Sequence, residues 1–301
     1  MTSSRASHEN ADKSALLVTG ATGRTGGHAA RLLLERGHRV RVLVHSFDDR
    51  AAQLRDSGAE VIVGDLHNLP DVRAAAEGAR AAYFVHPISP GLVEATATFA
   101  QAAHEAGVRS VVNMSQISAR PDAASNAARS HWLAERVLDW SPVAATHLRP
   151  TFFAEWFVFF GWALDKDGVL HLPFGDGRHA PIAAEDQGRV IAAVLESPDE
   201  HAGKIYPLFG AEEMNHYQIA EAISRAAARP VRYEPADIDA WASDLQSHGF
   251  SQYLAQHLSS VAVDYRNGIF SGTNDIVARV GGKKPMTIEE FVTANSAAFA
   301  L

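Results

Sequence analysis

The amino-acid sequence predicts an α/β protein built on a doubly wound parallel sheet, and three observations support this prediction. An apolar run at residues 16–19 leads at once into closely spaced glycines and a helical pattern. Apolar runs then alternate with helical patterns as far as residue 150, a spacing that requires parallel strands joined by right-handed crossovers. Polar side chains follow several of these runs, where such a sheet gathers its ligand contacts. The predicted fold is therefore of the Rossmann type.

The length of the chain leaves room for a second, smaller unit beside this sheet. At 301 residues the protein can bury one large core and a lesser one. The strict alternation of strand and helix fades after residue 150, so we expect a mostly C-terminal α/β substrate lobe there. The expected boundaries are 14–150 plus about 176–200 for the dinucleotide-binding domain, about 151–175 plus 201–301 for the substrate lobe, and 1–13 for a polar, disordered tail.

The composition argues against several classes of function. The chain has no cysteine, so it has no disulfide, no thiolate nucleophile and no cysteine-bound metal, which fits a reducing compartment. Its 15 histidines show no metal-ligand spacing, and a formal net charge of -8 disfavours a nucleic-acid partner. The N-terminal segment lacks the apolar core of a signal peptide, and the most apolar stretch, residues 152–164, is too short to span a bilayer. We expect a soluble, cytoplasmic protein that binds no metal, nucleic acid or membrane.

The first strand–helix junction has the composition of a dinucleotide-binding turn. Glycine lacks a Cβ and lets backbone approach a ligand closely, and the following helix presents free N–H groups and the positive end of its dipole to an anion. A second apolar run at residues 40–44 completes a β–α–β unit of the required length. We interpret the junction as a pyrophosphate site, with an ordinary glycine turn as the alternative. The residues expected to contact the cofactor here are Gly20, Thr22, Gly23, Arg24, Thr25 and Gly26.

The ends of the later strands supply the other expected cofactor contacts, because ligands of a doubly wound sheet lie at the carboxyl ends of its strands. Asp65, after the third strand, is well placed for the adenine amino group, with Leu66 against the ring. The alternative is that Asp65 is the N-cap of the next helix. The residues expected near the nucleotide on this basis are His45, Asp65, Leu66, His86, Pro87 and Ser115.

The side chains around the expected adenosine ribose slightly favour NADP(H) over NAD(H). The end of the second strand has neither the acid that binds a ribose 2′-hydroxyl nor an arginine that would bind a 2′-phosphate. Arg24 in the glycine turn and Arg50 in the next helix are candidate phosphate partners, while Asp48 and Asp49 oppose this interpretation. The alternative is that these residues are solvated surface charges.

A helical pattern at residues 127–139 carries His131 and Glu135 one turn apart on one face. Together with Gly-Ala-Thr-Gly-x-x-Gly at 20–26, Asp65-Leu66, and Leu-Arg-Pro-x-x-Phe at 148–153, this His-x-x-x-Glu pattern resembles the NmrA-like branch of the atypical short-chain dehydrogenases/reductases. Within that branch the pattern is most similar to the NAD(P)H:quinone oxidoreductases. The resemblance runs over nearly the whole chain and includes three late segments, at residues 186–189, 203–206 and 285–291.

The resemblance implies roles for His131 and Glu135. Dehydrogenases with this glycine spacing usually carry Tyr-x-x-x-Lys on this helix, where the tyrosine donates a proton and the lysine lowers its pKa and holds the ribose. His131 and Glu135 stand in those positions. We expect His131 to be the catalytic proton donor, since imidazole titrates near neutrality, and Glu135 to contact the cofactor. The alternative is an i, i+4 pair on the helix surface.

Aromatic residues crowd the chain just after the sixth strand, at residues 152–162. A helix with aromatic residues all around it is either buried on every side or lines an apolar cavity. This segment leaves the sheet where a substrate would face the nicotinamide, so we expect an aromatic wall for a flat, apolar ligand. A core-facing helix is the alternative. The expected substrate contacts are Gln116, Phe152, Phe153 and Trp156.

The missing tyrosine and the aromatic segment favour the same class of substrate. Hydride addition to a ketone builds an alkoxide that needs a strong donor, whereas a reduced quinone is an aromatic, weakly basic anion. The expected function is NAD(P)H-dependent hydride transfer to a quinone or polycyclic aromatic substrate. The family resemblance adds a natural-product tailoring step in which the reduced ring is oxygenated, because some similar proteins act in this way. The alternative is a redox sensor like the family's regulatory members, which binds the dinucleotide and signals to a protein partner.

Overall fold

The computed structural model describes residues 14–159 and 164–299. In chain order, the strands in these ranges are β1 (Ala15–Thr19), β2 (Val40–Val44), β3 (Glu60–Val63), β4 (Ala79–Phe84), β5 (Ser110–Met114), β6 (Ala144–Pro150), β7 (Val169–Leu172), β8 (Arg178–His179), β9 (Ile205–Leu208), β10 (Met214–Asn215) and β11 (Arg232–Pro235). A seven-stranded parallel sheet has the order β3-β2-β1-β4-β5-β6-β9. The predicted doubly wound α/β fold is confirmed.

Helices connect and cover the strands. Within the described residues they are α1 (Arg24–Glu35), α2 (Asp49–Asp56), α3 (Leu69–Ala76), α4 (Leu92–Glu105), α5 (Asn126–Trp140), α6 (Trp156–Phe159), α7 (Ala184–Glu196), α8 (Pro198–His201), α9 (His216–Ala227), α10 (Ile238–Ser247), α11 (Gln252–Arg266), α12 (Ile276–Gly281), α13 (Ile288–Ala294) and α14 (Ser296–Phe299). Thr287 and Glu290 have the spacing of a capping box in the sequence, and the structure contains it: the two residues exchange side-chain to backbone hydrogen bonds at the start of α13. None of these helices has the length and apolar character needed to cross a membrane.

The central strands are buried because helices cover both faces of the sheet. Side chains alternate between the faces along each strand. On one face Leu16 of β1 packs with Leu33 of α1 and Ile191 of α7. On the other face Leu17 packs with Phe99 of α4. This arrangement leaves the carboxyl ends of the strands open for a site.

Two of the late segments that carry the family resemblance contact each other around α7. Gly188 lets α1 approach, since a Cβ there would lie 2.5 Å from Cβ of His28. Asp186 accepts a hydrogen bond from the backbone N–H of Met286 at 2.9 Å. The C-terminal segment is thereby joined to the helix that covers the sheet.

A second hydrophobic core lies beyond the sheet, among residues of the predicted substrate lobe. Two short sheets border it: β10 pairs antiparallel with β8, and β11 pairs parallel with β7. Its largest buried members are Phe152, Phe157, Phe174, Tyr233, Trp241, Tyr265, Phe270, Phe291 and Phe299.

The structure places β9 in the main sheet, although the sequence assigned residues 201–301 to the smaller lobe. β9 pairs in parallel with β6, from His147 opposite Ile205 to Pro150 opposite Leu208. The reason is the edge of β6, which has backbone groups to pair, while Leu208 fills the same core as the sheet's own residues.

Two helical predictions differ from the structure. The sequence of residues 238–258 predicts a single helix, but the structure divides it into α10 and α11, because Gly249 adopts φ +84° and the side chain of Ser251 caps α11. In the aromatic segment the described helix is the short α6. Phe160 and Trp162 of that segment, and the predicted tail at 1–13, lie outside the described residues.

Candidate functional site

The turn between β1 and α1 is tightly packed and leaves the first N–H groups of α1 without a side-chain cap. Gly20 has φ +60°, and a Cβ there would lie 2.5 Å from Cγ1 of Val85. A Cβ on Gly26 would lie 2.6 Å from the carbonyl oxygen of Gly20. Helix α1 begins at Arg24 after Gly23, so no side chain caps the first N–H groups of the helix. The turn therefore presents a site for an anionic group.

A main cavity of about 310 Å³ lies at the carboxyl ends of β1, β4, β5 and β6. The predicted site residues that line it are Arg24, Thr25, His86, Pro87, Ser115, Gln116, His131, Phe152, Phe153 and Trp156. The structure thus brings together residues that were predicted separately for cofactor, catalysis and substrate. Lining residues that the sequence did not single out include Met114, Thr151, His257, Leu258, Val261 and Phe270. Glu155, which the sequence marks only as an acid within the most apolar stretch, lines the cavity as well.

A second cavity, of about 500 Å³, shares the glycine turn and is lined by Thr22, Gly23, Arg31 and Arg50 among others. Arg50 is attached to this turn: its Nη1 donates to the carbonyl oxygen of Thr22 at 3.2 Å, and its Nε and Nη2 bind Asp48 at 2.9 and 2.6 Å. Arg31, which the sequence did not suggest, has no hydrogen bond or ion pair with another described residue. The cavity therefore offers two guanidinium groups beside the turn.

Glu135 is fully buried and does not line the main cavity. Its Oε1 accepts hydrogen bonds from Oγ of Ser115 at 2.6 Å and Nε of Arg149 at 2.8 Å, and its Oε2 accepts one from Nη2 of Arg149 at 2.5 Å. The alternative surface pair with His131 is also not formed, because this face of α5 packs inward. Glu135 thus acts on the cavity through Ser115 rather than by the direct cofactor contact that was expected.

His131 lines the main cavity but is almost fully buried, and its Nδ1 has no hydrogen-bond partner among the described residues. Burial, reinforced by nearby His257, lowers the pKa of His131 to about 3. The expectation that this imidazole titrates near neutrality is therefore wrong, since apolar surroundings penalise the charged form. At pH 7 His131 is therefore a neutral imidazole, which can take part in hydrogen bonds but lacks the second ring proton of an imidazolium.

Two further histidines line the same cavity. Nδ1 of His86 lies 2.8 Å from the carbonyl oxygen of Pro87, and burial lowers the pKa of His86. Nδ1 of His257 lies 2.8 Å from Oγ of Ser125, and burial lowers the pKa of His257 to about 4. Burial thus favours the neutral form of both imidazoles. The described part of the chain contains no group of three or more side chains placed to hold a metal ion.

The predicted cofactor contacts that line neither cavity are Gly20, Gly26, His45, Asp65, Leu66 and Glu135. His45 is exposed at the end of β2. Asp65 accepts a hydrogen bond from the N–H of His67 at 2.9 Å, and the N-cap of α3 is Asn68 instead. Leu66 is half-buried against the sheet core. Contact of these residues with a nucleotide stays a prediction.

Residues of the aromatic segment pack in the second core and also line the main cavity. Phe152 belongs to the second core, where its ring centre lies 5.1 Å from that of Phe174. The same ring lies 5.3 Å from that of Trp156 and lines the main cavity. Phe153 lines the cavity as well, and its backbone bridges to Ile182. The cavity therefore has an aromatic wall that continues into the core.

Glu155 interrupts this apolar wall. Its side chain lines the main cavity, and the residue is only 8% exposed. Oε1 accepts a hydrogen bond from the N–H of Ala184 at 2.9 Å, whereas Oε2 has no partner within the described ranges. Burial raises the pKa of Glu155 above its ordinary value. The signal in the sequence is an acidic residue inside the most apolar stretch of the chain.

Comparison with known proteins gives one family and several close folds. A model of the NmrA-like family matches residues 12–292. An NAD(P)H azoreductase of Xenophilus azovorans is 30% identical over 286 residues, which cover 94% of this chain and 99% of the relative. The structure of an NADPH-dependent quinone oxidoreductase of Escherichia coli in complex with NADPH superposes with a TM-score of 0.83 at 23% identity, covering 93% of this chain and 99% of that one. A triphenylmethane reductase of Citrobacter sp. in complex with NADP(H) gives 0.81 at 21% identity, with coverage of 93% and 99%.

Proposed function

The chain belongs to the NmrA-like family, and from this premise we propose that it is an NAD(P)H-dependent oxidoreductase that reduces a flat, conjugated acceptor, either a quinone or an azo arene. The observation that supports this proposal is the main cavity, in which an aromatic wall meets the glycine turn. Flat aromatic ligands stack on such walls, and the cavity has the size of a small-molecule site. A polycyclic aromatic natural product, the other acceptor that the sequence suggests, has the same shape and polarity.

The residues of the glycine turn fit a dinucleotide. A Cβ at Gly20 or Gly26 would clash with Val85 or with the backbone of the turn, so these glycines let the turn fold tightly, and the uncapped start of α1 supplies N–H donors for a pyrophosphate. Ser115 and His86 would border the nicotinamide ribose at the strand ends. When bound, NAD(P)H supplies a hydride to the acceptor.

The second cavity supports a preference for NADP(H). Arg31 and Arg50 both line it beside Thr22, and a ribose 2′-phosphate is the anionic group that distinguishes NADP from NAD. Guanidinium groups bind phosphate through two parallel hydrogen bonds. Asp48 already binds Arg50, so Arg31 is the group with donors to spare.

Different residues around the main cavity would position the cofactor and the acceptor. Glu135 and Arg149 hold Ser115, whose hydroxyl oxygen can still accept a hydrogen bond from a ribose hydroxyl. Because His131 is neutral, we assign it a hydrogen bond to the acceptor and not the role of proton donor. The aromatic side chains exclude water from the path of the hydride.

The proposal is tested by steady-state oxidation of NADPH and NADH, followed by absorbance, with a series of acceptors. We expect turnover with flat naphthoquinones and azo dyes and little or none with aliphatic ketones of similar size. Binding of NADPH without turnover of any acceptor would support the alternative, a redox sensor that signals to a protein partner.

A further inference from the structure

Glu155 is a carboxyl group in a position where a carboxylate is poorly solvated. It lies at the end of the segment that follows β6, between the aromatic wall and the start of α7. Within the part of the chain that the structure describes, no ion pair neutralises it. An unpaired carboxylate loses its hydration when it is buried, so the neutral acid is the favoured form at such a site.

The two oxygens of Glu155 have different surroundings. Oε1 accepts the N–H of Ala184, the first residue of α7, whereas the buried Oε2 has no described partner. A neutral carboxyl that accepts a hydrogen bond at one oxygen carries its proton on the other. Burial raises the pKa of Glu155, and nearby Asp186 acts in the same direction, while the bond from Ala184 and the charge of Arg24 oppose the shift.

On the basis of the proposed function, we propose that Glu155 is the catalytic proton donor, and that its Oε2 delivers the proton to the acceptor atom that becomes basic as the hydride arrives. The neutral His131 cannot perform this step without becoming a strong base, so Glu155 is the acid of the cavity. The hydrogen bond from the N–H of Ala184 does not require a carboxyl group, because the oxygen of a side-chain amide would accept it equally well.

The step is balanced for an azo arene. A hydride supplied by NAD(P)H forms an N–H bond at one nitrogen, and the electron pair of the broken N=N π bond moves to the other nitrogen. The O–H bond of Glu155 breaks and its proton binds that second nitrogen, which completes a hydrazine. The azo compound is reduced by two electrons, the nicotinamide is oxidised, and the carboxylate regains a proton from water.

Acceptors differ in how much they need this proton. Reduction of an azo bond creates a strongly basic nitrogen anion. Reduction of a quinone creates a weakly basic hydroquinone anion. A triarylmethyl cation dye becomes a neutral molecule on accepting a hydride and needs no proton. The three acceptors therefore separate proton donation from hydride transfer and from binding.

The test compares Glu155→Gln with the wild-type protein on these three acceptors. Glutamine keeps an oxygen for the N–H of Ala184 but has no acidic proton. We expect kcat for the azo dye to fall about 100-fold or more, kcat for the quinone to fall less, and kcat for the triarylmethyl dye to stay within about twofold. Glu185→Gln, a change of the neighbouring exposed acid at the same helix start, is the matched control and should leave all three rates unchanged.

A solvent isotope effect on the wild-type protein gives an independent readout if the variant folds poorly. We expect kcat in deuterium oxide to fall for the azo dye and not for the triarylmethyl dye. An azo rate unchanged in Glu155→Gln, or equal losses for all three acceptors, would overturn the role of Glu155 while leaving the proposed function intact. Wild-type protein that turns over none of the three would overturn the proposed function and this proposal together.

Discussion

Arg149 binds Glu135 through two hydrogen bonds, Nε to Oε1 at 2.8 Å and Nη2 to Oε2 at 2.5 Å. The pair joins two motifs that are separate in the sequence, His-x-x-x-Glu on α5 and Leu-Arg-Pro at the end of β6. Because Oε1 of Glu135 also holds the hydroxyl of Ser115, the two motifs together fix one wall of the cavity. Their joint presence in the sequence therefore has a structural cause.

Removal of Arg149 should destabilise the protein strongly. Arg149→Met removes both arginine hydrogen bonds from the fully buried carboxylate of Glu135 and leaves Arg136, at 3.6 Å, as its nearby counter-charge, a change that costs up to about 3–5 kcal/mol. The measurement is urea unfolding at pH 7. The double variant Arg149→Met/Glu135→Leu should recover much of the loss, because it removes both charges. A double variant no more stable than Arg149→Met would show that the pair is not what stabilises this region.

Addition of a single methyl group at Gly26 should weaken cofactor binding. In Gly26→Ala the new Cβ would lie 2.6 Å from a backbone oxygen, so the turn must distort. Gly37→Ala is the control for general loss of stability, since it strains the backbone at φ +82° but lies outside both cavities. Titration of nucleotide fluorescence should show weakened NADPH binding only for Gly26→Ala. Equal effects of the two changes would indicate general loss of stability instead of a specific site.

The choice between NADP(H) and NAD(H) should depend on Arg31. We expect Arg31→Ala to raise the Kd for NADPH by about tenfold or more, as a hydrogen bond to a charged phosphate is worth about 1.5–3 kcal/mol. The Kd for NADH should stay nearly constant, and this serves as the internal control. A parallel loss for both nucleotides would place Arg31 outside the site that distinguishes them.

His131 should affect turnover more than nucleotide binding. We expect His131→Ala to lower kcat while the Kd for NADPH changes little, because the neutral imidazole lines the acceptor side of the site. The pH profile of kcat near neutrality should keep its shape in the variant, since a group with a pKa of about 3 does not titrate there. A wild-type profile that loses a limb near pH 6–7 in His131→Ala would show that the imidazole titrates after all.

Buried histidines should limit stability in acid. His216 is fully buried, its ring lies 4.9 Å from that of Phe174, and burial lowers its pKa to about 3. Because the pKa is lower in the folded than in the unfolded protein, the stabilisation is complete above pH 6.5 and is lost as the pH falls towards 3. Each such group contributes a slope of up to about 1.4 kcal/mol per pH unit. Urea unfolding between pH 7 and 5 should show a weaker dependence for His216→Phe, whereas the exposed control His104→Gln should match the wild type.

The parts of the site that follow a strand could be predicted from the sequence. Ser115 and His86 come directly after buried strands, and a parallel sheet gathers such positions at one edge. The capping box of α13 also follows from a local signal, the spacing of Thr287 and Glu290.

Other parts depend on packing between distant segments, which local patterns do not encode. His257 reaches the cavity because α11 packs against α5, where Nδ1 of His257 lies 2.8 Å from Oγ of Ser125, and nothing in the spacing of α11 indicates this position. The spacing of His131 and Glu135 places both on one face of α5 but does not say that this face is buried. That single fact changes the expected pKa of His131 and gives Glu135 a different partner.

The central claim is that bound NAD(P)H passes its hydride to a flat acceptor in the main cavity. The direct measurement is an anaerobic single turnover, in which protein loaded with one equivalent of NADPH is mixed with excess naphthoquinone or azo dye and followed by stopped-flow absorbance. We expect the nicotinamide absorbance to disappear in a single phase, with one equivalent of reduced acceptor formed per protein. Bound NADPH that persists unoxidised in the presence of every acceptor would contradict the claim.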